Sequence, residues 1–225
     1  MHKLVIPTIR TFLLGALALG VLLFLPAGTL DYWQAWVFIA VFLVSANAIG
    51  VYLSLRNPVL LERRLKVGPG AEQNPAQKVI MSLAVVGFLG VMVFSALDHR
   101  FGWSPVPSYI SLAGAALVAI GFLVDLLVFR ENTYGASTIQ TFEGQKVIST
   151  GPYGIVRHPM YAGVLVMTIG TPLALGSFWG LGVVALTVPV LAWRILDEEK
   201  LLRSDLPGYV EYAQSVRYRL VPYLW

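Results

Sequence analysis

The side chains best suited to chemistry lie in two polar clusters of the C-terminal half. The first is a loop punctuated by Gly and Pro, residues 151–161, which leads directly into an apolar segment. Pro159 suits the first position of a helix, so His158 is placed beside helix-start N–H groups that favour an anionic ligand. With Tyr153 and Tyr161 close by, the loop could hold an aromatic ring and an anionic group together. The alternative is a boundary device, in which His158 merely marks the membrane interface.

The second cluster runs from Arg194 to Glu199 and follows another apolar segment. Arg194 and Glu198 are four positions apart and share one face of a helix, whereas Glu199 points well round from Glu198. This arrangement predicts either a clamp for a substrate or a structural pair whose arginine reaches out of the membrane. Because about one membrane hairpin separates the two clusters, both are expected on the same face of a bilayer.

The composition predicts an integral membrane protein. Of its 225 residues 57% are hydrophobic and 12% are charged, and the mean hydropathy is +0.72. A helix needs roughly 20 apolar residues to cross a bilayer. We therefore expect an all-α fold of about five to six transmembrane helices, with apolar segments at 11–27, 32–55, 78–97, 106–129, 159–176 and 178–196. The last two are short and joined by Gly176-Ser177, so they should form a tight helical hairpin.

This leaves no room for a separate soluble domain. We expect one domain, in which residues 1–125 form N-terminal transmembrane helices and residues 126–225 form a ligand-binding region. That region divides into loop 130–158, hairpin 159–196 and tail 197–225. A loop of nearly thirty residues tends to be functional. The linker 56–77, rich in Pro and Gly, is interpreted as connective rather than chemical.

Basic residues predict the orientation in the membrane. If the N-terminus is inside, every lysine and arginine except Arg100 falls in an inside segment. This positive-inside pattern places both termini, loop 130–158 and the tail in the cytoplasm. The net charge of +4 is therefore explained by the membrane, and a nucleic-acid partner is not expected. The N-terminal segment lacks a small-residue cleavage site and is interpreted as a retained first span rather than a signal peptide.

Other ionisable residues have less definite interpretations. Asp125 lies inside the fourth apolar segment, where a charge is costly, and could pair with Arg130 or Arg194 or line a cavity. His2 and His99 lie at the terminus and in an outer loop and look incidental. The chain has no cysteine, so disulfides and thiolate ligands are excluded, and no spacing of His, Asp and Glu is typical of a metal site.

Residues 125–225 resemble the membrane methyltransferases that include isoprenylcysteine carboxyl methyltransferase and phosphatidylethanolamine N-methyltransferase. Three elements recur in order: Gly-x-Tyr-x-x-x-Arg-His-Pro-x-Tyr, a short apolar hairpin, and Arg-x-x-x-Glu-Glu-x-x-Leu, followed by Tyr209 and Tyr212. The resemblance implies a site for S-adenosylmethionine on the cytoplasmic side. The residues that it assigns to the cofactor are Gln140, Gln145, Lys146, Val147, Ile148, Tyr153, His158, Pro159, Met160, Tyr161 and Glu198. Arg194 faces the substrate in the same carry-over, so Arg194 and Glu198 are the catalytic candidates.

The implied chemistry is methyl transfer to a lipid or prenylated acceptor. A carboxylate acceptor needs no general base and could be oriented by Arg194, whereas an amine acceptor needs a base, for which Glu198 or Glu199 is the candidate. Arg194 favours the carboxylate. Two other classes remain open: an NADPH-dependent membrane sterol reductase, whose C-terminal part is similar, and a non-enzymatic membrane module.

Overall fold

The computed structural model describes the backbone of residues 2–225 and the side chains from residue 12 onward. Eight α-helices follow one another, and this part of the chain contains no strand. Their bounds are α1 His2–Ala27, α2 Trp33–Arg56, α3 Pro58–Leu65, α4 Pro75–Phe101, α5 Ser108–Glu131, α6 Pro159–Ala174, α7 Gly180–Asp205 and α8 Tyr209–Ser215. Short 3₁₀ turns lie at Pro69–Ala71 and Gly151–Gly154.

Six of these helices correspond to the six predicted apolar segments. Among the described residues, α2, α4, α5 and α7 are long and apolar enough to cross a membrane, and Phe12–Ala27 and Pro159–Ala174 are shorter apolar helices. Their outer faces carry exposed apolar side chains, such as Leu17, Val86 and Leu186, which suits contact with lipid. The chain is an all-α integral membrane protein, as predicted.

The expected hairpin differs from the observed one in two ways. A short turn around Gly176 does join α6 to α7, but α7 continues to Asp205 because no proline or glycine interrupts the charged stretch before Leu206. The two helices also pack mainly on other neighbours, α6 along α5 and α7 along α4. The second arm is therefore a long helix that carries Arg194–Glu199 beyond the apolar part of the bundle.

The packing of α5 against α6 is the closest in the bundle, and glycines make it possible. A Cβ added to Gly114 would lie 2.3 Å from the backbone nitrogen of Ala174, and one added to Gly121 would lie 2.7 Å from the carbonyl oxygen of Gly163. Such small-residue contacts let helix backbones approach each other in a membrane. They fix the start of α6, and therefore Pro159 and Tyr161, relative to the end of α5.

Local signals explain where the helices that flank the site begin. The Asn74 side chain accepts a hydrogen bond from the backbone N–H of Ala76, and Pro75 occupies the first position of α4. His158 and Pro159 start α6 in the same positions, although the His158 side chain does not cap the helix. In the linker 56–77, Asn57 caps α3 by accepting from the N–H of Leu60. The linker is thus a folded element rather than an open connection.

Candidate active site

A cleft opens at one end of the bundle, between α5, α6, α7 and the loop that follows α5. It encloses about 920 Å³ of empty space, part of which is open to solvent. All the site residues predicted from the sequence line this one cleft, namely Gln140, Gln145, Lys146, Val147, Ile148, Tyr153, His158, Pro159, Met160, Tyr161, Arg194 and Glu198. The structure brings them together, and their individual roles stay predictions.

Tyr153 forms an ordered part of the cleft wall. Its hydroxyl accepts a hydrogen bond from Nδ2 of Asn132 at 2.8 Å, and its backbone carbonyl accepts one from the Tyr212 hydroxyl at 2.8 Å. Burial raises the pKa of Tyr153 to about 12, and the Asn132 hydrogen bond opposes that rise. The phenol is therefore neutral at physiological pH and offers the cleft an aromatic surface without a charge.

Tyr161, in the first turn of α6, links the two polar residues of α7. Its buried hydroxyl donates to Oε2 of Glu198 at 2.6 Å and accepts from Nε of Arg194 at 3.1 Å. The structure shows no direct ion pair between Arg194 and Glu198 within the described chain. Arg194 and Glu198 share one face of the helix, as predicted, and are joined through the tyrosine hydroxyl.

The Arg194 guanidinium is enclosed rather than extended towards water. Arg194 is 7% exposed. The terminal nitrogens of its guanidinium donate to Oε1 of Gln77 at 2.9 Å, to Oε1 of Glu72 at 3.0 Å and to the carbonyl of Ser137 at 2.8 Å. Together with the bond to Tyr161, these contacts use four of the five N–H donors of an arginine. The reading of Arg194 as an arginine that reaches out of the membrane is therefore wrong.

Two of these partners come from the N-terminal half of the chain. Glu72 and Gln77 are 3% and 1% exposed, and both belong to the segment that includes the linker 56–77 and the start of α4. The linker, interpreted from the sequence as connective rather than chemical, also supplies the carboxylate that neutralises Arg194. Gln77 also hydrogen-bonds the side chain of Asp197, one turn further along α7.

Glu199 faces away from the cleft, as its position on the helix predicts. Its carboxylate lies 2.9 Å from Nε of Arg157, 3.3 Å from Nε2 of His158 and 3.1 Å from Nε of Arg219. The backbone N–H groups of Arg157 and His158 donate to the carbonyls of Tyr218 and Arg219. This ion cluster binds the tail to the start of α6, and it turns a ring nitrogen of His158 towards Glu199 rather than leaving it free for an anion.

Asp125 does not form either of the pairs expected for it. It is 7% exposed, its Oδ1 atom has no hydrogen-bond partner among the described side chains, and it is not among the residues that line the cleft. It lies against α6 instead, where a Cβ added to Gly163 would approach Oδ1 to 2.6 Å. Within the described chain, no group of three His, Cys, Asp or Glu side chains is placed to hold a metal ion.

The cleft is also lined by polar residues that were not among the predicted site residues. Asn132, Tyr209 and Tyr212 all line it. Asn132 belongs to the polar set of the loop after α5, and the two tyrosines belong to the Tyr-x-x-Tyr spacing after the Glu-Glu pair, so both signals were present in the sequence. Neither signal shows whether these side chains point into the cleft, because that depends on how the tail folds back on the loop.

The fold defines an integral membrane protein, and its cleft is lined by residues of the C-terminal half. Comparisons with known proteins agree with this class. The model of the phospholipid methyltransferase family matches residues 109–205. Protein-S-isoprenylcysteine O-methyltransferase B of Arabidopsis thaliana is 33% identical over 145 residues, which cover 60% of this chain and 68% of that protein. A probable protein-S-isoprenylcysteine O-methyltransferase of Oryza sativa subsp. indica is 32% identical over 141 residues, covering 56% and 71%.

A relative with a different activity also matches. A delta(14)-sterol reductase of Mus musculus is 29% identical over 140 residues, which cover 53% of this chain but 33% of the reductase. The chain thus spans a third of that reductase and about two thirds of the plant enzymes. The chain belongs to the family of integral membrane methyltransferases that includes the isoprenylcysteine O-methyltransferases. It is a membrane enzyme of the methyltransferase class.

Proposed function

We propose that this enzyme transfers a methyl group from S-adenosylmethionine to a lipid or prenylated acceptor at the cytoplasmic face of the membrane, with an isoprenylcysteine-type carboxylate as the acceptor group. The observation that carries the proposal is a series of two hydrogen bonds on one wall of the cleft, from Arg194 to Tyr161 and from Tyr161 to Glu198. It occurs in a member of this family. The cleft lies where the apolar part of the bundle ends, so a soluble donor and a lipid acceptor can meet there.

The cleft residues fit the chemistry of this donor. Tyr153 and Met160 provide an aromatic and apolar wall for a purine ring, and Glu198 provides a carboxylate for the cationic part. When bound, S-adenosylmethionine supplies an activated methyl group on a sulfonium. Transfer of such a group is an in-line displacement that depends on positioning and on exclusion of water. The loop after α5 would cover the cleft and exclude that water.

Arg194 would orient the acceptor. One N–H of its guanidinium is not used by the protein contacts described above, and Arg194 lines the cleft. Because Glu72 already balances its charge, its contribution would be a directed hydrogen bond rather than a free positive charge. An acceptor carboxylate held there needs no base, whereas an amine acceptor would have to give its proton to Glu198.

The transfer itself can be tested with a methyl-labelled donor and two probes, an S-farnesylcysteine and phosphatidylethanolamine vesicles. We expect label in a base-labile ester of the first probe and none in the second. We also expect Arg194→Ala to bind S-adenosylhomocysteine within several-fold of the parent, because Arg194 also holds the Ser137 carbonyl, while turnover falls by more than tenfold. Label on the phospholipid amine alone would contradict the carboxylate assignment, and loss of donor binding in Arg194→Ala would contradict the division of roles.

The reductase relative makes NADPH oxidation the second activity to measure. Its match to this chain covers 53% of the residues. We expect no oxidation of NADPH in the presence of a delta-14 sterol. Oxidation at a rate above that of the methyl transfer would replace the methyltransferase proposal.

The cytoplasmic position of the cleft can be tested because the chain has no cysteine. Phe101 is 58% exposed at the end of the bundle opposite the cleft, and Glu143 is exposed in the loop over the cleft. We expect an impermeant maleimide added to intact cells to label Phe101→Cys and to label Glu143→Cys only after lysis. The reverse pattern would contradict the proposed orientation.

A further inference from the structure

We propose that Glu72 is a positioning residue of this active site. It fixes Arg194 relative to the loop that forms one wall of the cleft. This inference rests on the proposed role of Arg194. Glu72 lies before α4, outside residues 109–205 matched by the family model, and is not among the residues that line the cleft. It acts on the site through its two hydrogen-bond donors, the Arg194 guanidinium and the backbone N–H of Ile139.

The two oxygens of Glu72 have different partners. Oε1 accepts from the Arg194 guanidinium at 3.0 Å, and Oε2 accepts from the backbone N–H of Ile139 at 3.3 Å. The Glu72 residue is 3% exposed, and a buried carboxylate is stable only when it is paired and hydrogen-bonded. One carboxylate therefore joins α7 to the loop after α5. Glu72 and its partner Arg194 are 122 positions apart in the sequence.

The segment Ala136–Ile139, here called the strap, depends on such contacts because it has no regular secondary structure. The Ser137 carbonyl accepts from Arg194 at 2.8 Å, and the Ser137 hydroxyl donates to the carbonyl of Arg64 at 2.9 Å. The Ala136 carbonyl accepts from the Arg64 guanidinium at 3.1 Å. Glu72 completes this set at Ile139, so the strap is held by side chains from α3, α7 and the linker between α3 and α4.

The strap forms part of the cleft itself. Ala136 and Ile139 line it, and Arg194 faces it from the opposite element. A shift of Glu72 would therefore move the arginine that orients the acceptor and the wall beside the donor at the same time. Groups that orient a site through another residue typically change activity by about 10–100-fold when they are replaced, as the outer partners of metal ligands do.

The variant Glu72→Gln separates the two contacts. Its amide oxygen can still accept from Arg194, but its amide nitrogen cannot accept the N–H of Ile139. We expect kcat for the S-farnesylcysteine probe to fall at least tenfold and the dissociation constant of S-adenosylhomocysteine to rise several-fold, with partial rescue by Glu72→Asp. The matched control is Glu62→Gln, which removes an acid whose side chain is 74% exposed and lies 3.5 Å from the Lys66 ammonium. We expect this control to leave both quantities within twofold.

A double-variant cycle tests whether Glu72 acts through Arg194. The cycle uses Glu72→Ala, which removes the acceptor of Arg194 as well; if Glu72 acts through Arg194, the loss of turnover in Glu72→Ala combined with Arg194→Lys is smaller than the sum of the two single losses, since coupled residues are not additive. Additive losses would overturn the inference. So would parental kcat in Glu72→Gln, provided that Arg194→Ala has lost turnover.

Hydrogen exchange in the ligand-free protein gives a readout that does not depend on any activity. We expect the amide of Ile139 to exchange at least tenfold faster in Glu72→Gln and to be unchanged in Glu62→Gln, with helix amides of α5 unaffected in both. Unchanged exchange at Ile139 would overturn the inference even if the enzyme proves to be a methyltransferase. Faster exchange together with no methyl transfer by the parent would instead overturn the proposed function and leave the contact intact.

Discussion

Each end of the bundle holds a carboxylate in a polar network, but Asp98 is buried whereas Glu198 is half-buried. At the end away from the cleft, Asp98 is 1% exposed and accepts from the Ser104 N–H at 2.7 Å, the Ser104 hydroxyl at 2.6 Å and the Ser177 hydroxyl at 2.5 Å. These donors come from the turn after α4 and the turn between α6 and α7. Asp98 therefore ties two turns together and has its hydrogen bonds supplied by its own chain.

At the cleft end, Glu198 has one protein donor, the hydroxyl of Tyr161 at 2.6 Å, among the contacts of the described residues, and it lines the cleft. The neighbouring Glu199 resembles Asp98 in being surrounded by donors of its own chain. The difference teaches that a buried acid alone does not mark a site. What distinguishes Glu198 is that its carboxylate borders open space instead of being surrounded by partners.

The largest effect expected from this comparison is on stability, in Asp98→Ala. Three donors would lose their acceptor, and each hydrogen bond to a charged group contributes about 1.5–3 kcal/mol, so we expect a loss of several kcal/mol in detergent unfolding. The affinity of the remaining folded protein for S-adenosylhomocysteine should be unchanged. The control is Asp31→Ala at an exposed acid of the same end. A stable Asp98→Ala variant would show that the network is not structural.

Glu199→Gln should have the next largest effect, about 2 kcal/mol, because it removes the charge that balances Arg157 and Arg219 while keeping the shape. Arg219 is partly exposed, with 28% of its side chain accessible, so water replaces part of the lost interaction. We expect faster hydrogen exchange and proteolysis in residues 216–220. Loss of cofactor affinity without any loosening of the tail would place Glu199 with Glu198 instead of with Asp98.

Glu198→Gln should change binding more than stability. We expect the affinity for S-adenosylhomocysteine to fall at least tenfold, equivalent to about 1.4 kcal/mol, while the unfolding midpoint stays close to that of the parent. Glu211→Gln, at an exposed acid of α8, serves as the matched control. If Glu198→Gln unfolded easily and bound normally, the contrast between the two ends of the bundle would be lost.

The smallest effect concerns the ionisation of Tyr153. Its folded pKa of about 12 lies above the usual value near 10 for tyrosine. The folded protein therefore holds this proton more tightly, and the contribution to stability is complete below pH 10 and is lost as the pH rises through 12. A difference ultraviolet titration of the parent against Tyr153→Phe should show one phenol that ionises near pH 12. A midpoint near 10 would mean that the wall is open to water.

Much of the fold follows from the sequence because each helix is a local feature. Apolar runs set the six apolar helices, and Asn74-Pro75 and His158-Pro159 set two of their starts. The opposite directions of Glu198 and Glu199 also follow from helix geometry alone. The extension of α7 to Asp205 was missed because the end of the apolar run was taken as the end of the helix.

The partners of Arg194 were beyond sequence reasoning. Glu72 and Gln77 lie 122 and 117 positions away, and the surrounding Pro and Gly residues are typical of a linker. The same limit applies to Asp125, whose neighbour is Gly163, since only the close approach of α5 and α6 brings them together. Lys3 and Arg10, which support the predicted orientation, lie outside the described side chains.

The most direct test of the central claim is a calorimetric titration of S-adenosylmethionine, S-adenosylhomocysteine and NADPH into the purified protein and into Glu198→Gln. The account predicts micromolar binding of the first two ligands by the parent, weakened at least tenfold by Glu198→Gln, and no heat from NADPH. Binding of NADPH alone, or binding of S-adenosylhomocysteine that is indifferent to Glu198, would contradict it.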